Sequence, residues 1–555
     1  ELNRTAGKRA MEKFAFDSSA LYLRKAIDTL DNITTGDEPK WSAYYDLTLD
    51  LTGCLGHVEL CNGNVEESVR LCEEVMAQAR TIEDTIAVHT TLIIGISTRH
   101  GKNREGVLRG FSILGELGEK IPKSPKVWNI LGEVRRVKRA LRGRSDDDLL
   151  SLPEMTDRRK QAAMEVFSSL VFFVYTDRDS KAVFAVYCLR MMYLTLQCGY
   201  SKWTPFAFAL YGVVEVILGN MSEARRFLVL ASTLIAKSNS MEARTRGLLI
   251  LHAGLSQLSL PYSAAFDGFM DSYVTGMKCG DVAFALVSAY QHIYAAMLTD
   301  MNLVQIEADA RVISSQMKDF KVDRHGLMHD MLYQICQNLM GLSENPGELT
   351  GDAFNSAVKE EVKTAGDLFN FHNLVFMEFH VQAHFNRFFM LEDSIFLFHK
   401  CLKVTLQAHF FSYFGEFLAG LTAYRLYHRT GKRKYRQLAR TCTKKMVAYA
   451  EGGMVNAVPM SYCLVAEAAL LKASSAQKVN VQELYDAAIC SAKKAKVLQF
   501  EAMFNERASE VFLTVLDDTT LAGLYLREAI DLYSKWGADG KVEMLTTMGA
   551  HVSLF

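Results

Sequence analysis

The segment Leu21-Tyr-Leu-Arg-Lys-Ala-Ile-Asp28 returns near the far end of the chain as Leu524-Tyr-Leu-Arg-Glu-Ala-Ile-Asp531, with seven of eight positions identical. The one difference, Lys25 against Glu528, exchanges long charged side chains of opposite sign, which suits a solvated position. Such an echo predicts one helical unit used repeatedly. A unit of this kind cannot bury its apolar face alone and must stack on neighbours, so the chain is constrained toward a repeat architecture.

The wider sequence agrees with that constraint. At 555 residues the chain exceeds one ordinary core, and 8 prolines in that length favour long helices over a strand-rich sandwich or barrel. No stretch sustains an alternation of period two, so the predicted fold class is all-α, an α-solenoid of degenerate tetratricopeptide-like helical hairpins. Lys and Arg number 62 against 63 Asp and Glu, which leaves no global field to recommend nucleic acid or an anionic membrane. The 11 cysteines form no CxxC pair and sit in apolar helical stretches, as Cys188, Cys336 and Cys490 do. That pattern predicts reduced, buried thiols in a cytoplasmic protein. The longest apolar run, Pro205 to Gly219, is interrupted by Glu215 and too short to cross a bilayer. The chain opens on Glu1 and carries no secretory signal pattern, which reads as a piece of a longer polypeptide.

Helices are expected from Ala10 to Leu30, ended by Thr35-Gly36-Asp37-Glu38-Pro39, and from Trp41 to about Cys61. Gly63 suits the left-handed residue that closes a helix, and Asn64 suits the cap of the next. Leu55-Gly56 stands where a tetratricopeptide repeat has its Leu-Gly pair, and Ser68 at the small position of the second helix. There two antiparallel helices approach closely. Gly212, Gly219, Ala224 and Ala231 repeat the device, with weaker versions at Gly101, Gly280 and Gly431. The interval from Gly63 to Gly101 exceeds the period of about 34 residues usual for this repeat.

This reading divides the chain into N-terminal helical repeats over 1–142, a connector loop over 143–157, central repeats over 158–341, a soft boundary at 342–352 and C-terminal repeats over 353–555. The connector's glycine, triple Asp and Pro153 break the helical pattern, and Thr156 or Asp157 caps a helix to about Tyr175. It reads as a surface connector with its leucines tucked under the solenoid. A docking loop built on Arg144, Asp146, Asp147, Asp148 and Pro153 is the alternative. The last helices are expected at Tyr462–Leu471, Val481–Leu498, Glu501–Val515 and Leu521–Trp536, with Pro459 as punctuation.

Chemical signals are few. His380 and His384 lie four apart on one helix face, with His372 and Glu378 nearby, a spacing zinc can use. No HExxH is present and no cysteine joins them, while Phe376, Phe379, Phe385, Phe388 and Phe389 read as a packed aromatic face. Core or groove histidines are therefore expected, and no metal or other cofactor is assigned. Basic runs at Arg135, Arg136, Lys138, Arg139, Arg142 and Arg144, and from Lys432 to Lys445, could contact phosphate. The first abuts Asp146 to Asp148, which can neutralise it, and apart from Tyr435 neither has interleaved aromatic platforms, so solvated helix faces are expected. Gly101-Lys102 and Gly431-Lys432 lack the remaining residues of a P-loop, and no GxSxG, GxGxxG or kinase motif appears.

Several blocks carry a resemblance: Trp41-Ser-Ala-Tyr-Tyr-Asp-Leu-Thr-Leu-Asp50, Arg80-Thr-Ile-Glu-Asp84, Gly143-Arg-Ser-Asp-Asp-Asp-Leu-Leu150 with Leu152-Pro-Glu-Met-Thr-Asp157, and Tyr533-Ser-Lys-Trp-Gly-Ala538 with Lys541-Val542. In order across nearly the whole chain, they resemble the tetratricopeptide-like helical region of large signalling proteins. Those proteins join a serine/threonine-kinase-like domain and a predicted STAND-type ATPase to this region, often followed by GAF and histidine-kinase domains. The 555 residues hold neither the ATPase nor the kinases, so the resemblance implies a non-catalytic regulatory scaffold and carries over no catalytic residue. Its expected partners are another protein or adjoining domains of the same polypeptide, with no membrane and with homo-oligomerisation left open. A helical metalloenzyme using His372, His380 and His384, or a nucleic-acid-binding repeat protein, are the rival readings.

Overall fold

A computed structural model describes residues 1–34, 39–97, 102–177, 180–404, 408–471 and 478–551. Among these residues the chain is an all-α solenoid: 28 α-helices and two short 3-10 turns, with one isolated bridge between Glu154 and Tyr200 as the only extended pairing. Consecutive helices pack on one another as hairpins. No described helix is long and apolar enough to cross a membrane. The predicted turn at 35–38 and Gly101 lie outside the described residues.

One hydrogen bond recurs at many of the described helix turns. A residue in the left-handed region ends the helix, and the next amide bonds back to the carbonyl five residues earlier, which satisfies an orphan acceptor of the last turn. Asn64 N to Glu59 O (2.8 Å) and Asn220 N to Glu215 O (2.8 Å) are two instances, behind Gly63 and Gly219 at φ of 76° and 84°. The same bond joins Ala15 to Ala10, Val322 to Met317, Arg387 to Gln382 and Val497 to Ala492. At these four turns the left-handed residue is Phe14, Lys321, Asn386 or Lys496. The expected single helix over Ala10–Leu30 is accordingly two, Leu2–Met11 and Phe16–Ile33, folded about Phe14. Asn64 and Asn220 occupy the cap positions, but neither caps with its side chain. Each instead donates its amide to the preceding buried glutamate, Asn64 to Glu59 (2.8 Å) and Asn220 to Glu215 (2.5 Å).

Small residues stand where the two helices of a hairpin touch. Ser68 Oγ donates to Gly56 O (2.6 Å), and a Cβ on Gly56 would meet Cys72 Sγ at 3.2 Å. Ser19 repeats this contact on Gly7 O (2.8 Å), and Ser509 on Ala522 O (2.8 Å). The two echoed segments sit alike: Leu23, Ala26, Leu526 and Ala529 are buried, Leu21 and Leu524 are each 52% exposed, and Lys25 and Glu528 face solvent. Two helix limits differ from expectation for local reasons. Pro459 lies in the first turn of Ala457–Leu470, where its missing N–H has no partner to lose. Tyr44 interrupts the helix expected from Trp41, leaving Lys40–Ala43 and Tyr45–Cys61.

The chain divides into two compact units. Unit 1 comprises Glu1–Leu251, Phe269–Ala289 and Ser315–Gly326; unit 2 comprises His252–Gly268, Tyr290–Ser314 and Leu327–Phe555. Segments 143–157 and 342–352 fall inside units 1 and 2 respectively.

In unit 1, Thr204–Ile217 is buried nearly all round, and the first hairpins meet its last segments: Cys61 Sγ lies 3.4 Å from Gly280 O, and Phe16 packs edge-on against Phe320. Unit 2 has an aromatic core in which Phe379 stacks on Phe398 at 3.8 Å and Phe376, Phe411 and Tyr294 close around them. Phe376, Phe379 and Phe385 belong to the expected aromatic face. Phe389 is 85% exposed, a correction: it stands three residues beyond the left-handed Asn386, in the first turn of the next helix, while Phe388 is covered by Arg425 and Arg429.

Candidate functional site

The first helices of successive hairpins in unit 1 line an open cavity of about 770 Å³. Tyr45–Cys61 contributes Cys54 and His57, Ile86–Ser97 contributes Ala87 and Thr90, Arg158–Tyr175 contributes Arg158 and Glu165, and Met241–Gly254 contributes Glu242 and Arg246. Lys202 and Trp203, just before Thr204–Ile217, complete the charged side.

Arg246 organises this wall. It is 5% exposed and donates through Nε and Nη2 to the two oxygens of Asp281 (2.7 and 3.1 Å), and through Nη1 to Ser168 and Ser169 (3.0 and 3.1 Å). One guanidinium fork thus fastens three segments, a geometry that lysine's point charge does not reproduce. Burial alone would lower its pKa, but the Asp281 carboxylate outweighs that and raises it, so Arg246 stays charged. The guanidinium also lies over the rings of Trp203 (4.9 Å) and Phe284 (4.3 Å).

Lys202 stands between two carboxylates, Glu165 and Glu242, each at 3.0 Å. Its burial would depress the ammonium, and the paired carboxylates overcome this and hold it above its usual range. Glu165 also accepts the Trp203 indole N–H (2.9 Å). Glu83 pairs with Arg159 at 3.8 Å, while Arg158 is exposed and has no ion-pair partner among the described residues. The walls therefore alternate in sign, with an unpaired cation at Arg158 and a carboxylate excess around Lys202. Burial pushes the thiols up, Cys54 to about 11 with help from Asp50 and Cys279 to about 12, so neither is a thiolate nucleophile at neutral pH.

The 143–157 segment positions one wall of this cavity. Ser145 N-caps a short helix, Asp146–Leu150, in a reciprocal box with Asp148, and Leu149 is buried beneath it. Met155 N donates to Tyr200 O (2.7 Å) and Tyr200 N to Pro153 O (2.6 Å), which fixes the strand-like approach to Ser201, Lys202 and Trp203. Gly199 at φ 101° permits it, since a Cβ there would stand 2.2 Å from Pro153 O. Asp157, not Thr156, caps Arg158–Tyr175 by accepting from Arg159 N and Lys160 N.

The remaining predicted residues are dispersed. Arg144 donates to Leu196 O (3.0 Å), Asp146 pairs with Arg226 (2.6 Å) and Asp148 is engaged in the Ser145 cap, so neither carboxylate forms an ion pair with the basic run beside it. Asp147 is exposed. Gly212, Ala224 and Ala231 are buried. In the second basic run, Lys432 pairs with Glu392 and Lys445 with Glu416.

His380 and His384 are buried in unit 2 with ring centroids 4.7 Å apart. His384 Nδ1 donates to His380 O (3.0 Å), so its Nε2 accepts from Gln499 (3.0 Å), and both nitrogens are occupied. Burial lowers both rings, His380 well below its ordinary value and His384 to about 4. Glu378 pairs with Lys359 (2.6 Å).

Sequence reasoning missed the cavity, although Arg158, Gln161 and Glu165 at i, i+3 and i+7 interrupt an otherwise buried helix with polar groups on one face. Compared with protein-family models and with curated proteins, the chain matches none of the family models and none of the curated proteins at a significant level.

Proposed function

We propose that the chain is a non-catalytic regulatory solenoid whose unit 1 cavity receives an extended segment of a protein partner or of an adjoining domain of the same polypeptide. In a signalling protein of the resembled kind, occupancy would bias the module it adjoins, because a ligand shifts an equilibrium by its differential affinity for the two states. The observation that carries the reading is the alternating sign of the cavity wall: Arg158 offers an unpaired cation, whereas Lys202 sits within a carboxylate excess from Glu165 and Glu242. A peptide presents both charges along a short length. A nucleic-acid groove would track phosphate with uniform positive charge, which this wall lacks.

Selection of a random peptide display library against the purified chain tests this. Enriched peptides should bind the wild type and lose at least tenfold in affinity with Arg158→Glu or with Ala87→Trp, both exposed positions on the cavity wall. No enrichment, or equal binding by both variants, would overturn the proposal.

A further inference from the structure

Three consecutive helices of unit 2, Phe388–Val404, Phe410–Thr430 and Arg433–Glu451, bring one donor each to a single point. His399, Glu416 and Cys442 offer a ring nitrogen, a carboxylate oxygen and a sulfur that all lie within 4.8 Å of one another. His399 Nε2 is 3.2 Å from Glu416 Oε1, and the three residues are 8%, 6% and 0% exposed. The sulfur reaches this point because Gly420 has no side chain: a Cβ there would stand 2.8 Å from Cys442 Cβ.

We propose that His399, Glu416 and Cys442 form a binding site for a divalent cation of the zinc class. Imidazole nitrogen, carboxylate oxygen and thiolate sulfur are the donor types that zinc takes, and tetrahedral ligands at 2.0–2.3 Å from the ion stand about 3.3–3.8 Å apart. The cluster therefore needs to contract by about 1 Å at its widest, within the reach of side-chain rotation. In the unliganded chain Lys445 neutralises Glu416 from 3.1 Å, three residues along the same helix as Cys442. The cation replaces that ammonium as counter-ion, the Cys442 thiol gives its proton to solvent as the metal–sulfur bond forms, and no electron is transferred. Lys445 keeps 35% of its side chain exposed, so a water entering past it completes the fourth position. The site is separate from the His380–His384 pair, where the Gln499 amide already occupies His384 Nε2.

Titration of the metal-stripped full chain with cobalt(II) tests the site. The expected result is one cobalt per chain, with a thiolate-to-cobalt charge-transfer band that zinc abolishes by displacement. Cys442→Ser should remove the charge-transfer band and His399→Ala should weaken binding at least tenfold, while Cys490→Ser, at the exposed thiol, leaves both unchanged. Far-UV circular dichroism verifies that each variant is folded. Absence of the band in the wild type overturns the proposal, and this result needs no variant. A band that persists in folded Cys442→Ser also overturns it, because another cysteine then supplies the sulfur.

Discussion

Mild acid should destabilise this protein well before its carboxylates titrate, because several histidines are buried in neutral form. Burial drives His384 to about 4, with the Lys541 charge adding to the effect, and drives His409 and His325 to about 3. His409 lies against the Phe411 ring at 4.0 Å and His325 against Phe172 at 4.8 Å. Their ordinary value is 6.5, so the unfolded chain binds protons that the folded chain refuses. For a depressed folded pKa the stabilisation is full above the unfolded value and is lost as pH falls toward the folded one. Between pH 7 and pH 5 each such histidine costs about 2 kcal/mol. Two of these groups lie in unit 2 and one in unit 1, so these three alone should remove about 4 kcal/mol from unit 2 and about 2 kcal/mol from unit 1, with His380 and His89, also lowered by burial, adding to the respective losses, against a typical net stability of about 5–15 kcal/mol. Glu416 and Glu510 are held at about 2: burial would raise them, but His399 and Lys445 for Glu416, and Arg425 and Arg507 for Glu510, prevail. Their contribution fades only below the unfolded carboxyl value of 4.5, which separates the two windows. Urea unfolding at a series of pH values, with hydrogen exchange to assign each transition to a unit, measures the effect. Uptake should approach one proton per buried histidine between pH 6 and 5, and His409→Phe should reduce the unit 2 slope by about one proton. A stability that stays flat from pH 7 to pH 5 and falls only below 4.5 would refute the reasoning.

Other consequences follow from single contacts. Gly199→Ala combines a left-handed φ with a 2.2 Å approach to Pro153 O, so it should cost more than about 2 kcal/mol and speed exchange at the Met155 and Tyr200 amides; unchanged protection would contradict it. Gly219→Ala has a similar φ but open space around it, and should cost only about 1 kcal/mol in urea unfolding. Lys541 is fully buried, 2.7 Å from Glu506 and bonded to His384 O, so Lys541→Met should cost about 3–5 kcal/mol and expose amides of Asp539–His551 to exchange. Adding Glu506→Gln should restore part of that loss, and strict additivity of the two substitutions would argue against a coupled pair.

The fold class was legible because helical periodicity is local, and so was much of the capping chemistry: Asp157 and Gly63 act where their neighbours in sequence predict. The repeat count was not, because glycine marks only some of the turns. Six turns among the described residues put Phe14, Lys321, Asn386, Ala408, Lys496 or Asp517 in the left-handed region, and the surrounding hairpin contacts hold those side chains there. What recurs instead is the spacing of polar partners. Arg24–Glu59, Arg246–Asp281 and Lys541–Glu506 are each 35 residues apart, Trp203–Glu165 is 38, Tyr45–Asp84 and Tyr525–Asp486 are 39, and Lys202–Glu242 and Arg507–Glu467 are 40. Equivalent faces of successive hairpins therefore touch at one repeat length, a little above the period of about 34 residues for the shorter tetratricopeptide unit.

The same geometry explains why the candidate sites were hidden. A scan for ligands at i, i+4 finds His380 and His384 because one helix face repeats at that interval. Groups that meet across helices are separated by a hairpin arm or by a whole repeat, as His399 and Glu416 are at 17 residues and Arg246 and Asp281 at 35. The buried lysine in Tyr533-Ser-Lys-Trp-Gly-Ala538 with Lys541-Val542 follows this rule too. The carboxylates of its own helix, Asp539 and Glu543, face solvent two residues either side of Lys541, and it is Glu506, one repeat upstream, that supplies the charge partner of the fully buried ammonium. In the same block Trp536 is buried and Gly537 turns at φ 85° against Asn302. In a solenoid of this repeat length, a search for function in sequence has to compare residues one hairpin apart, because that is where chemically complementary groups are brought into contact.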